Sequence, residues 1–256
     1  MSRILITGGT GFLGKRLGKS LRDDGHVVTL SGRNNKQLML ASQFSGCEAY
    51  AMDVSNIESV RDIVTQTKPD IIIHAAATKF VDISEKQPME AIDVNVVGSQ
   101  NVARVAIEKN VKCVVGVSTD KASPPVRNTY GLTKALMERL FCSMNNKSQT
   151  KFLCVRYGNV AWSTGSVLCI WRKMLLDKGV IGTTGPDMYR FFFTVDEAVE
   201  LVKTALDNYE EFQGKVLSRK MKSAQMKEIL RVWTQSEGGK FEVIEGRPGE
   251  RNEEYL

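Results

Sequence analysis

Short apolar runs alternate with stretches of helical apolar spacing over the first two thirds of the chain. Arg3–Thr7, Val27–Leu30, Cys47–Met52, Pro69–His74, Val111–Val117 and Lys151–Arg156 read as strands. They are too continuously apolar to have one wet face, as expected of a parallel sheet covered on both sides. Between them, Leu13, Leu17 and Leu21 share one helical face, and Ser55–Thr67, Ala91–Lys109 and the segment from Tyr130 onward also carry helical patterns. This order predicts an α/β fold, a doubly wound, Rossmann-like parallel sheet. After Arg156 the text turns irregular, with a helix around Trp171–Leu176, another to Leu206, a strand near Lys215–Ser218 and a helix over Ser223–Thr234. The pattern predicts a single domain over 1–256, with 1–160 mainly the sheet core and 161–256 mainly a small C-terminal lobe. That lobe would lie over the carboxyl edge of the sheet and lack a core of its own.

The first strand runs into G-G-T-G-F-L-G, where Gly8, Gly11 and Gly14 alternate with Thr10, Phe12 and Leu13. Strand, glycine turn and helix in that order suit a dinucleotide: the tight turn, the close approach of backbone to pyrophosphate and the helix packing each exclude a side chain. Phosphate would then rest on the N–H groups of the helix start. A glycine turn alone is also met as a plain tight turn. Beyond the second strand, Ser31, Arg33, Asn34 and Lys36 stand where an acidic residue would grip a ribose 2′-OH, so a 2′-phosphate, and NADP over NAD, is expected. Asp53 and Val54 end the third strand and could meet the adenine, or Asp53 could cap the following helix. Ala75 and Ala76 let a flat ring pass close to the backbone, with Lys79 just beyond. Asn95 reads as a cofactor contact or a packing amide.

The fifth strand delivers Ser118, Thr119, Asp120 and Lys121 to the same edge, and Tyr130 and Lys134 follow one helical turn apart on one face. A tyrosine beside a fixed ammonium can ionise below its usual pKa of about 10, which makes it a base near neutral pH. A carboxylate next to an amine suits an acid and a base acting on neighbouring atoms. The plainer alternatives are a chance Y-x-x-x-K spacing, a helix-capping Asp120 and a solvated Lys121.

Composition narrows the classes. Five cysteines without C-x-x-C spacing read as reduced core residues of a cytoplasmic protein. With only two histidines and no ligand spacing, no metal site is expected. No apolar run approaches a membrane span, so no membrane partner is expected. The net charge of +6 and the basic run Lys215–Lys227 read as a solvated face rather than a nucleic-acid surface, for want of interleaved aromatics.

Taken together, T-G-G-T-G-F-L-G, H-A-A-A-T-K (His74–Lys79), S-T-D-K-A (Ser118–Ala122), N-T-Y-G-L-T-K (Asn128–Lys134), V-R-Y-G-N-V (Val155–Val160), R-F-F-F-T (Arg190–Thr194) and R-P-G-E (Arg247–Glu250) resemble an extended short-chain dehydrogenase/reductase. More narrowly they resemble the soluble UDP-N-acetylglucosamine 4,6-dehydratases of polysaccharide and flagellin-sugar biosynthesis. The resemblance implies an NADP-dependent lyase acting on a nucleotide sugar, UDP-GlcNAc first among them, and working as a homo-oligomer. It implies that Tyr130 with Lys134 takes the 4-hydroxyl proton, Thr119 orients the 4-oxygen, Lys121 removes the carbon 5 proton and Asp120 protonates the departing 6-hydroxyl. It also implies sugar or phosphate contacts from Lys79, Thr119, Tyr130, Asn159, Arg190, Arg247 and Glu250. A 4-epimerase, a 5,6-dehydratase and a non-catalytic NADP-binding protein are the competing readings. Phe80, Trp162 and Thr164 depart from the family pattern, and the family implies a longer C-terminal lobe than this chain carries.

Overall fold

The computed structural model describes residues 1–246, 248–250 and 253–255. Strands β1 (Arg3–Thr7), β2 (Val27–Gly32), β3 (Glu48–Ala51), β4 (Ile71–His74), β5 (Cys113–Val117) and β6 (Lys151–Val155) fall where the apolar runs predict, β1 with the expected bounds, β2 two residues longer and the others shorter by one or two. They alternate with helices α1 (Phe12–Asp23), α2 (Asn35–Ser45), α3 (Ile57–Thr67), α4 (Val81–Lys86), α5 (Pro88–Ile92), α6 (Gly98–Glu108) and α7 (Thr129–Met144). The sheet order is β3-β2-β1-β4-β5-β6, all parallel, so the direction of winding reverses between β1 and β4. That reversal opens a crevice at the carboxyl ends of both strands.

Alternation along each strand divides the core. Ile4 and Ile6 face one buried layer with Leu17, Leu21 and Leu30, whereas Leu5 faces another with Val60, Val102, Met137 and Phe141. The expected helix over Ala91–Lys109 contains a π-turn, Asp93–Val97, joining α5 to α6. Such turns are frequent at functional sites because they re-aim side chains.

The second half departs from a division at residue 160. β7 (Asn159–Val160), α8 (Val167–Lys178), β8 (Val180–Thr183) and β9 (Tyr189–Phe193) leave the sheet edge. Then α9 (Val195–Asp207) and α10 (Tyr209–Phe212) return, and β10 (Val216–Leu217) pairs parallel with β6 as the seventh strand. Ala198, Leu201, Val202 and Ala205 of α9 complete the layer under β1. Only then does the chain go back out as β11 (Lys222–Gln225), α11 (Met226–Glu237) and β12 (Lys240–Val243). The lobe is thus made of two separate stretches, and it does have a small core, Leu168, Trp171, Ile181, Met226 and Leu230. No helix among the described residues is long and apolar enough to cross a membrane.

Two close approaches fix the edge that carries the chemistry-bearing residues. A Cβ on Gly131 would lie 2.3 Å from the Lys121 carbonyl oxygen, and one on Gly158 would lie 2.7 Å from Phe191 Cβ and 3.0 Å from Asp120 Oδ2. Gly131→Ala is therefore expected to lower stability by about 1–3 kcal/mol, read from the midpoint of urea unfolding. An unchanged midpoint would show that the turn after β5 is free to move off α7.

Candidate active site

The crevice widens into a cavity of about 660 Å³ that runs from the glycine turn to the lobe. One end is walled by Gly8, Thr10, Gly11, Phe12, Leu13 and Gly14, with Arg33, Val54, Ala75 and Ala76 beside them. Gly8 has φ of 66°, and a Cβ there would meet Ala76 Cα at 2.7 Å, while one on Gly14 would meet the Gly8 carbonyl at 2.6 Å. Side chains are thus excluded where backbone must approach a ligand. The residues present fit a dinucleotide.

Several residues expected to hold that cofactor lie outside the cavity wall. Ser31 is buried, its hydroxyl on the Ile6 carbonyl. Asn34 caps α2 by accepting the Gln37 N–H, and Lys36 is exposed on the first turn of that helix. Asp53 accepts from the backbone and hydroxyl of Ser55, and the cap of α3 is Asn56 instead. Asn95, in the π-turn, is fully buried; it bonds Thr78 through both backbone N–H and carbonyl and Thr133 through its hydroxyl. Asn95 thereby ties the loop after β4 to α7. Arg33 reaches the cavity but also pairs with Glu90 at 3.3 Å.

At the other end the turn after β5 carries the groups able to move protons. Thr119 caps a short 3₁₀ turn, Asp120–Ala122, so Asp120 is not the cap and is free for other work. Asp120 is wholly buried. Its Oδ1 accepts from the Thr119 hydroxyl at 2.9 Å and from Lys121 Nζ at 3.1 Å. Lys121 is no solvated charge: its ammonium lies between Asp120 and Glu254, 3.0 Å from Glu254 Oε2. Glu254 also faces Arg190 Nε of β9 at 3.5 Å. Sequence reasoning missed Glu254, because no spacing relates it to a strand end lying more than a hundred residues earlier. Its segment is held by Asn128, which donates to the Gly249 carbonyl at 3.1 Å, and by Glu250, which accepts from Thr184 at 2.8 Å. Arg247 lies outside the described residues.

Electrostatics follow from this burial. Burial alone would lower the Lys121 pKa, but the two carboxylates outweigh it and hold the ammonium charged. For Asp120 burial favours the neutral acid, yet Lys121 and the bonds from Glu254, Lys121 and Thr119 keep it below the usual carboxylate range. Glu254 goes the other way: burial and its bond to Asp120 push it up to about 7, against Lys121 and Arg190.

Tyr130 and Lys134 both line the cavity from α7, as their spacing predicts. The expected lowering of the tyrosine pKa is reversed: burial raises it to about 12, and the cation acting on it is Lys121. The Lys134 ammonium bonds Met137 Sδ at 3.0 Å instead, and burial lowers its pKa to about 8.

On the lobe side, Asn159 donates to the Phe191 carbonyl at 3.1 Å, and Lys79 donates to the Thr164 carbonyl at 2.7 Å. Phe80 lies against Gly165, so two of the departures from the family pattern sit on the same bridge between core and lobe.

A family profile described as polysaccharide biosynthesis protein matches residues 4–256. Over 220 residues the chain is 38% identical to the UDP-N-acetylglucosamine 4,6-dehydratase (inverting) of Campylobacter jejuni, a match covering 82% of this chain and 64% of that enzyme. The chain thus spans slightly less than two thirds of that relative. It is 33% identical over 266 residues to the UDP-glucose 4-epimerase of Rickettsia typhi, covering 99% and 76% of the two chains. Among solved structures, Pen from Bacillus thuringiensis superposes with a TM-score of 0.91 at 31% identity, over 98% of this chain and 79% of that one.

A buried ammonium bonded to sulfur is a poor bargain for folding. Replacing it with an apolar chain of similar length removes the desolvation cost. Lys134→Met is expected to raise stability at pH 7 by about 1 kcal/mol or more. The sign with pH follows: the folded pKa lies below the unfolded one, so native stability gains as pH rises from about 8 toward the unfolded value, and the variant lacks that gain. Thermal unfolding at pH 7 and at pH 9 checks both, and a less stable variant at pH 7 would contradict the assignment.

Proposed function

The chain belongs to the polysaccharide biosynthesis protein family, among the nucleotide-sugar dehydratases and epimerases of extended short-chain dehydrogenase/reductase type, and on that premise we propose that it is an NADP-dependent 4,6-dehydratase of UDP-GlcNAc that inverts carbon 5. The observation that carries this reading is the Asp120–Lys121 pair, desolvated at the end of β5, with Lys121 lining the same cavity as Tyr130 and Asp120 buried directly behind it. An oxidation at carbon 4 needs only the tyrosine; an adjoining acid and base are what loss of water across carbons 5 and 6 adds.

A nicotinamide cofactor, when bound, supplies the hydride acceptor and donor. Gly8–Gly14, Ala75 and Ala76 would hold it, with Arg33 toward a 2′-phosphate. Tyr130 takes the proton of the 4-hydroxyl, and Thr119 orients that oxygen. The carbon 5 proton, made acidic by the neighbouring ketone, goes to Lys121; the 6-hydroxyl leaves as water with a proton from Asp120. Lys79, Asn159, Arg190 and Glu250 line the lobe side of the cavity and are assigned to the sugar and its nucleotide. In this reading the protein divides into a nucleotide-binding core and a substrate lobe that shares the chain with it twice over.

A UDP-sugar 4-epimerase is the second reading, favoured by the 33% identity to such an enzyme over nearly the whole chain. UDP-GlcNAc incubated with the protein in deuterated water separates the two. Loss of water with deuterium at carbon 5 is expected; an unchanged mass with a 4-epimer would select the epimerase.

Tyr130→Phe should form almost no reduced nicotinamide in a single turnover. Asp120→Asn should oxidise carbon 4 at close to the native rate and lose water roughly 10²- to 10⁴-fold more slowly. Identical traces from the two variants would contradict the division of roles. NADP should bind more tightly than NAD, and Arg33→Ala should narrow the difference. Equal affinities in the unaltered protein would show that Arg33 is spent on Glu90.

A further inference from the structure

An acid and a base in contact neutralise each other. If Asp120 and Lys121 had one proton between them, it would rest on the amine, leaving neither a base for carbon 5 nor an acid for the hydroxyl. The two carboxylates make this worse by holding Lys121 charged. A third proton site is required, and one lies in contact with both members of the pair.

Glu254 is buried, with Oε2 3.0 Å from Lys121 Nζ and Oε1 3.5 Å from Arg190 Nε. Its carboxyl also lies against that of Asp120, where a hydrogen bond forms only if one of the two carries a proton. Asp120 Oδ2, fully buried, meets no donor among the described residues when both are ionised. The groups facing Glu254 are therefore Asp120 and Lys121 from the turn after β5, Tyr130 from α7 and Arg190 from β9.

We propose that Glu254 takes the proton that Lys121 must surrender, so that Lys121 as a free amine and Asp120 as an acid exist side by side. This rests on the dehydratase reading. The three groups hold two protons at rest, one on Lys121 and one shared by the carboxyl pair. With the shared proton on Asp120, Glu254 accepts the Lys121 proton across their hydrogen bond. The amine then takes the carbon 5 proton, the C–H electron pair becomes the double bond to carbon 6, and the C6–O pair leaves with the oxygen. The Asp120 proton completes water. Lys121 is again charged, one proton remains on the carboxyl pair, and the balance is restored. Glu254 thus acts through Lys121 and Asp120 and need not touch the sugar.

The two-proton state is lost as pH rises through about 7, where Glu254 titrates. Its pKa lies above that of an ordinary carboxyl, so the competent form is present below that pH and vanishes above it. Glu254→Gln keeps the shape but cannot accept the proton. Below pH 7, where Glu254 is itself neutral, it should oxidise carbon 4 of UDP-GlcNAc at close to the native rate and lose water roughly 10²-fold more slowly, and it should lack the fall in elimination above pH 7. Water loss at the native rate with the native pH profile would overturn the proposal. A readout without substrate keeps it separate from the dehydratase reading. In infrared spectra of the protein recorded against pH, a protonated-carboxyl band should titrate near pH 7, disappear in Glu254→Gln and move to higher pH in Lys121→Met. If the native protein eliminates water from no nucleotide sugar, the dehydratase reading fails and this band decides for Glu254. A band unchanged in Glu254→Gln would overturn the proposal whatever the activity.

Discussion

The structure depends on keeping an ammonium and two carboxylates out of water at the end of one strand. Charges in that position are tolerated only if each finds a partner of opposite sign and the remaining lone pairs find donors. Lys121 supplies the sign for Asp120 and Glu254, Thr119 supplies a hydroxyl, and Arg190 closes the far side. The surrounding backbone is cut to fit: Gly131 lets the helix that carries Tyr130 rest directly on the Lys121 carbonyl, and Gly158 leaves room for Asp120. Motifs that look separate in sequence are thus walls of one charge cluster.

That cluster explains why the lobe is woven from two stretches. Arg190 arrives on β9 before the chain returns to the core as α9 and β10, and Glu254 arrives after the chain has gone out again. The intervening core segment, packed under β1 through Ala198, Leu201 and Val202, anchors the base of both excursions. Lys79 and Asn128 add polar ties from core to lobe and to the closing segment. A lobe hung on a single linker would leave the distance between Arg190 and Glu254 to the linker; here both are referred to the same sheet.

Much of this was legible in the residues. Strand and helix alternation carried the sheet, because burial on both faces leaves continuous apolar runs. The glycine turn and the Tyr130–Lys134 spacing placed one wall of the cavity, because both depend on local geometry. What was not legible is long-range. The protein partners of Asn34, Asp53 and Asn95 depend on the neighbours that folding brings: Asn34 accepts from Gln37, Asp53 from Ser55 and Asn95 from Thr78. A two-residue strand such as Val216–Leu217 carries too short a pattern to be assigned to sheet or lobe. Glu254 had no motif at all; only the fold sets it against Lys121.

The same cluster sets the acidity of the tyrosine. Lys134, its neighbour in sequence, is turned to sulfur, so the charges acting on Tyr130 are Lys121, which favours the phenolate, and Asp120 and Glu254, which oppose it. With both carboxylates ionised, each disfavours the phenolate beyond what burial imposes. A proton on Glu254 removes its share of that opposition. In the dehydratase proposed above, the protonation state that would let Lys121 and Asp120 work on carbons 5 and 6 is therefore also the one that eases ionisation of Tyr130. Proton abstraction at carbon 4 and elimination across carbons 5 and 6, assigned in that proposal to different side chains, would in this way be referred to one proton count.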